Sequence, residues 1–195
     1  MATTHQTHGI TRQTIKNMLL DAGAVYVNYG ETDERLIGAT SGGNTFTVER
    51  EIKIIEIDGA RGKVKGARRI TEENAVLTIN LLEMSAENFK LMLTAADVSD
   101  WLDTDGSTVI GKVIKPRGQI LDSDYVKNIA LVATVSGTDQ PCVIILKNVL
   151  ADDELEIELE DKEEGKPEVA LSAHYDPEKV TEPPYEIRYP AVSTT

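Results

Sequence analysis

Cysteine is almost missing from this sequence. Cys142 stands alone, which rules out an intramolecular disulfide and points to a chain made in a reducing cytoplasm. It lies in the apolar run Cys142-Val-Ile-Ile-Leu146 with nothing nearby to lower its pKa, so it reads as a small buried hydrophobe. Aromatic residues make up 5% of the chain, which leaves an aliphatic core. No apolar run is long enough to span a bilayer, and no charged stretch followed by an apolar one opens the chain, so membrane insertion and secretion are unsupported. Positive charge is also scarce: 20 Lys and Arg stand against 33 Asp and Glu, a net −13. Domains that grip nucleic acid carry a basic footprint, so that class is disfavoured; an acidic surface repels phosphate, or simply serves solubility.

Catalytic signatures are missing too. Gly59, Gly62 and Gly66 fit neither the dinucleotide nor the Walker spacing, and they join two strands, so no helix N-terminus faces an anion. Zinc motifs and a nucleophile elbow are absent, and His174 has no candidate nucleophile beside it in sequence. His5 and His8 lack a third ligand and fall in a polar start, residues 1–10, that reads as flexible. Asp103-Thr-Asp-Gly-Ser107 resembles the opening of a calcium loop but lacks its distal Glu, so it reads as a turn. The expectation is a protein with no catalytic, metal or cofactor site.

What is present is β pattern. At 41% hydrophobic and 27% charged, 195 residues make one globular domain, here 1–175, followed by a Pro-rich arm, 176–195. A long run from Thr45 to Ile57 and a basic run from Lys63 to Ile70 flank Asp58-Gly59, a strong hairpin signal because both residues tolerate positive φ. Phe46, Val48, Ile52 and Ile54 share a face that Arg50 interrupts. The apolar set then hops to Ile55 and Ile57, which predicts a bulge there. Ser41-Gly-Gly-Asn44 reads as a turn before the hairpin, and Thr71-Glu-Glu-Asn74 as a turn after it.

Other elements follow in order. Ile15, Met18, Leu19 and Ala22 recur at helical spacing with Gly23 as a C-cap, predicting a short N-terminal helix that ends against a strand from Ala24 to Tyr29. A strand from Ala75 to Glu83 turns Leu77, Ile79 and Leu81 inward, and Ser85 caps a helix whose Phe89, Met92, Leu93 and Ala96 form one stripe. Strands follow at Ser107 to Lys115, Tyr125 to Val135 and Pro141 to Leu150, the last two apolar enough to be buried on both faces. From Asp153 to Asp161 the sequence alternates strictly, with Leu155, Ile157 and Leu159 opposite Glu154, Glu156, Glu158 and Glu160; this predicts a strand with one dry and one acidic, solvated face. Val169, Leu171, Ala173 and Tyr175 make a further strand. In the arm, Tyr185, Ile187 and Tyr189 alternate among prolines, as an edge strand does that docks into a groove of its own body or of another copy. The predicted class is mainly β: a curved sandwich or half-barrel with one principal helix on the sheet and a short N-terminal one.

The order of the strand at Ala24 to Tyr29, then Ile37-Gly-Ala-Thr-Ser-Gly-Gly43, a charged strand ending in Asp58-Gly59, Gly62-x-x-x-Gly66 and a strand leading into a helix resembles the tail tube (major tail) proteins of long-tailed bacteriophages, most specifically over residues 15 to 95. The resemblance implies hexameric rings that stack into the tail of a virion, assembled in the host cytoplasm with tape measure, terminator and distal tail proteins. It also implies an inner β-barrel through which DNA passes at ejection without specific binding. If six copies contribute about four strands each, roughly 24 strands at about 4.8 Å spacing and about 40° tilt give a diameter near ~50 Å. On this reading Arg61, Lys63, Lys65, Arg68 and Arg69, with Tyr185, Ile187 and Tyr189, are assembly residues, and the carboxylates of lining strands repel phosphate. A plain solvated hairpin face is the competing reading of the five basic residues. Two other functions compete: a β-sandwich recognition module such as an adhesin or carbohydrate binder, which needs exposed aromatics where Trp101 is the one tryptophan, and an enzyme on a β-scaffold, whose catalytic cluster would show only in three dimensions.

Overall fold

The computed structural model of the chain describes residues 8–11, 13–159, 161–162 and 164–192. The strands are β1 (Leu19–Val27), β2 (Arg35–Leu36), β3 (Thr40–Ile54), β4 (Arg68–Leu81), β5 (Ala96–Leu102), β6 (Val109–Pro116), β7 (Val126–Val135), β8 (Cys142–Ala151), β9 (Glu168–Ala173) and β10 (Tyr185–Arg188); the helix α1 is Ala86–Met92. Eight strands form one antiparallel sheet in the order β2-β1-β7-β8-β9-β4-β3, with β10 also on β8, while β5 and β6 form a separate pair. The mainly β class with one packed helix is what the sequence predicts.

Strand β8 turns the sheet into a half-barrel. Its first half pairs with β10 (Val143↔Arg188 to Leu146↔Tyr185), and its second half pairs with β9 along the same edge (Val149↔Ala173 to Ala151↔Leu171). At the fork Lys147 N donates to Pro184 O at 2.7 Å while Lys147 O accepts from His174 N at 3.1 Å, and Asn148 takes a φ of 49° that Asn tolerates better than most residues. One layer is therefore β2-β1-β7-β8-β10 and the other β9-β4-β3. Their far ends meet again where Asn44 Nδ2 donates to Ala22 O at 2.8 Å.

Between the layers lies an aliphatic core of Val25, Val27, Leu77, Ile79, Leu81, Ile129, Leu131, Leu146, Val149, Val169 and Leu171, to which α1 adds Met92. Ser85 Oγ accepts from Asn88 N at 3.1 Å, the expected N-cap. Asn88, 1% exposed, is the buried polar residue of the core; its Nδ2 donates to Ile37 O (2.7 Å) and Glu83 O (2.9 Å), and its Oδ1 accepts from Arg35 Nη1 (2.9 Å). Burial holds the Arg35 pKa below its ordinary value, with Glu87 pulling it back up. Cys142 is buried as expected, and desolvation raises its thiol pKa.

Several local expectations are corrected. The N-terminal helix is not formed: residues 13–17 make turns and β1 begins at Leu19, paired with Val135 of β7. Ile15, Met18 and Leu19 are exposed, so the helical stripe has no surface to bury against and strand pairing wins. Gly23 sits inside β1 at a register break between Leu20 and Ala24, not at a helix end. The Gly42-Gly43 pair is likewise inside a strand, at φ of 92° and 90°, and carries a register shift of β3 against β4 between Thr40 and Asn44. The residues read as a turn at 71–74 are continuous β4, and the bulge falls between Glu51 and Ile52 rather than near Ile55, with Thr71 as the extra residue on β4. The stretch from Asp153 to Asp161 is not a strand; it has the right alternation but pairs with no neighbour among the described residues, and Glu160 lies outside them. Strand β5 was not legible.

Candidate assembly surface

The β3–β4 hairpin outruns the body. β4 has β9 on its other edge from Val76 to Asn80, and past that point the hairpin continues as a two-stranded arm as far as Ile54↔Arg68, where residues 55–67 form a loop that includes Asp58-Gly59. Along the arm Ile52, Ile54, Ile55, Ile57 and Ile70 remain 39–52% exposed. Ile52, Ile54 and Ile70 prolong the inward face of β3 and β4, so the apolar side of the sheet runs on beyond the core that it covers elsewhere. A two-stranded ribbon is marginally stable in water, and exposed aliphatics make it a surface awaiting a partner.

Arg61, Lys63 and Lys65 lie in the exposed tip, and Arg68 and Arg69 stand opposite Ile54 and Lys53. Residues 53–69 hold six basic and two acidic side chains, net +4, so with −13 for the whole chain the remainder carries −17. Charge is banded along the outer face of the arm: Glu51 faces Glu72, then Lys53 faces Arg69. Like charges opposite one another oppose pairing. The arm thus gives up some of its own stability to present one sign at a time.

Of the five basic residues, three lie in the loop at the end of the arm and Arg68 and Arg69 point to opposite faces of β4; the C-terminal trio is split. Tyr185 docks on its own body. Its hydroxyl donates to Glu73 Oε1 at 2.5 Å and accepts from Arg50 Nη2 at 2.7 Å, while Arg50 Nη2 also donates to Glu73 Oε1 at 2.9 Å. The Tyr185 ring tilts against Phe46 with centroids 5.7 Å apart. The hydrogen bonds from Arg50 and Tyr185 hold the Glu73 carboxyl below its ordinary pKa, and the bond to Glu73 raises that of Tyr185. Ile187 and Tyr189 stay half-exposed. Arg50 was visible in the sequence as a break in an apolar face; its partners, separated from it by 23 and 135 positions, were not.

A second arm, β5–β6, also leaves Val98, Trp101, Leu102, Val109 and Ile110 exposed, with Trp101 lying over Gly111. Lys112 pairs with Asp100 at 2.6 Å across it, and Arg117 ties its base to Asp97 and Asp124. The turn is closed by Asp105, which accepts from Ser107 N and Thr108 N at 2.9 Å and from Thr108 Oγ1 at 2.6 Å. Those bonds hold its pKa far below the usual carboxylate range. The loop is satisfied from within, as a turn should be.

The outer face of β3, β4 and β9 carries Thr45, Thr47, Glu49, Glu51, Glu72, Asn74, Val76, Thr78, Asn80, Ala170 and Ser172, aligned in register as Thr47↔Val76↔Ser172 and Thr45↔Thr78↔Ala170. Hydroxyls, amides and carboxylates line it, and between Thr45 and Glu51 it offers no cation. Beside it Glu154, Glu156 and Glu158 line an open concavity of about 610 Å³ with Asp152, Asp153 and Glu168, against the one base Lys166. Among the described residues, no cluster of three or more His, Cys, Asp or Glu is arranged to hold a metal ion. Another cleft, about 510 Å³, lies between the β1–β2 turn and residues 174–188. Its cations are matched by its own carboxylates, Lys127 with Glu31 at 3.4 Å, Lys147 with Glu186 at 3.5 Å and Lys179 with Glu182 at 4.0 Å. No helix among the described residues is long and apolar enough to cross a membrane.

No known family matches the sequence, and no curated protein matches it. Among solved structures, a chain from the virion of a native gene transfer agent particle is similar over 80% of this chain and 92% of that one, with a TM-score of 0.40 and 9% identity. A likeness of that degree identifies neither a family nor a role.

Proposed function

We propose that this chain is a structural subunit of a phage-type virion, which assembles with copies of itself as stacked hexameric rings into a tail tube, the conduit for DNA at ejection. The observation that carries self-assembly is the β3–β4 arm: a ribbon with half-exposed isoleucines and a tip of net +4, on a chain whose remainder is −17. Such a tip is complementary in charge to the acidic body of another copy. The ring form comes from the resemblance of residues 15 to 95 to tail tube proteins. The outer face of β3, β4 and β9 supports the conduit: between Thr45 and Glu51 it carries short polar side chains and carboxylates and no cation to hold a phosphate, a wall that a duplex slides past.

Negative-stain electron microscopy of the purified chain at rising concentration tests this. Rings or tubes with a central hole are expected. A compact monomer at every concentration would overturn it, as would a cryo-electron microscopy map of the tubes in which Arg61, Lys63, Lys65, Arg68 and Arg69 line the lumen.

A further inference from the structure

Beyond Val48 and Ala75 the β3–β4 arm has no third strand beside it. A ribbon of that kind swings about its base unless something else holds it. Past that point the side-chain ties from arm to body shown by the described residues run to Tyr185, which hydrogen-bonds Arg50 of β3 and Glu73 of β4 together. Tyr185 is itself anchored from behind. β10 pairs with β8 over four residues, and Pro184 O accepts from Lys147 N at 2.7 Å. The hydroxyl meets both strands at one level, and its ring rests on Phe46, four residues closer to the core along β3. Glu73 is nearly buried, its side chain 8% exposed, while Arg50 is half-exposed, so the carboxylate end of the junction is sheltered from water and the guanidinium end is not.

We propose that the C-terminal strand is a strut: through Tyr185 it fixes the direction in which the β3–β4 arm leaves the body. In this arrangement the arm has two anchoring states. With β10 on β8, Arg50 and Glu73 are clamped and the tip points one way. With β10 released, the same arm pivots at its base, and its charged tip samples many directions. The consequence for assembly rests on the function proposed above: copies with β10 released present their arms in the wrong place and add slowly. The strut itself does not rest on that reading.

Spin labels at Ala60→Cys in the tip and Thr134→Cys on β7 report the direction of the arm in dilute monomer, since Cys142 is buried away from the label. A single narrow distance is expected in the labelled parent. Tyr185→Phe, which keeps the ring on Phe46 and removes only the hydroxyl, and truncation after Glu182 are each expected to broaden it and to lose the single peak. A control pair, Thr134→Cys with Lys90→Cys, should stay narrow in every variant. A tip distance that is already broad in the parent, or that stays narrow in Tyr185→Phe, overturns the proposal. Broadening of the control pair as well overturns it too, because Tyr185 would then hold the body together and not aim the arm. If the truncated chain fails to fold, Tyr185→Phe decides. A strut confirmed in a chain that never forms rings would leave this inference standing and remove the tube.

Discussion

Asn88 joins three pieces of chain with one side chain, receiving Arg35 and donating to the carbonyls of Ile37 and Glu83. Replacing it with Ala leaves those carbonyls buried and unpaired, so Asn88→Ala should lower unfolding stability by about 2–3 kcal/mol in urea titrations, with the denaturant slope unchanged. Glu73 gives a pH signature. Its folded pKa is depressed below the ordinary 4.5 by Arg50 and Tyr185. For a depressed carboxyl, the stabilisation is fully present above the unfolded value and is lost as pH falls through the folded one. The stability difference between the parent and Glu73→Gln should therefore be constant from pH 7 to about 5 and shrink on further acidification, as read from unfolding midpoints. Local chemistry of the first kind was half legible. Ser85 announces its cap and Leu77, Ile79 and Leu81 announce their face, because each signal lies within a few positions. Asn88 was not, and Tyr185 showed only as a docking residue without its partners, because those partners are set by how distant strands come together.

At the scale of elements, the two arms should be separable from the body. The core draws on β4 only from Ala75 onward and on β3 at Phe46, so replacing residues 52–70 with a tight turn should leave a folded chain with a melting temperature within a few degrees of the parent and no capacity to assemble. A gentler variant, Lys63→Glu with Lys65→Glu, takes the tip from +4 to zero, since each exchange removes one positive charge and adds one negative. It should keep its circular dichroism spectrum and lose assembly by sedimentation. The pairing of a long first strand with the next one was readable, but the tight corner at Asp58-Gly59 was not borne out: residues 55–67 form a loop, and the return strand starts at Arg68 rather than Lys63. The segment at 153–161 shows the limit of such reading. Perfect alternation fits a strand, but a strand exists only with a neighbour to pair with, and none of the described residues supplies one there. The bulge was placed three residues late because the hop in the apolar pattern marks where side chains change sides along β3, whereas the extra residue sits on β4.

For the whole molecule, two electrostatic effects compete. Copies of net charge −13 repel one another diffusely, and in the proposed assembly arm tips attract acidic bodies at close range. Screening weakens the diffuse repulsion first, because the Debye length drops from about 30 Å at 0.01 M salt to about 10 Å at 0.1 M, whereas contacts of about 4 Å persist until near 1 M. Light scattering against ionic strength should therefore pass through a maximum at intermediate salt; a monotonic rise would mean that the tip contributes no attraction. The mainly β half-barrel followed from the sequence because periodicity is local and pervasive. The fork at β8, where one strand edge serves both layers, did not, since nothing about Lys147 and Asn148 marks a branch. The two-stranded arms also set a timetable. A lone arm gains little by becoming ordered, so the first few copies to meet bear that entropic burden with few contacts in return, while a newcomer to an existing end finds its docking site already rigid. If the proposed self-assembly holds, polymerisation should accordingly begin after a lag, and a trace of sheared fragments should abolish the wait.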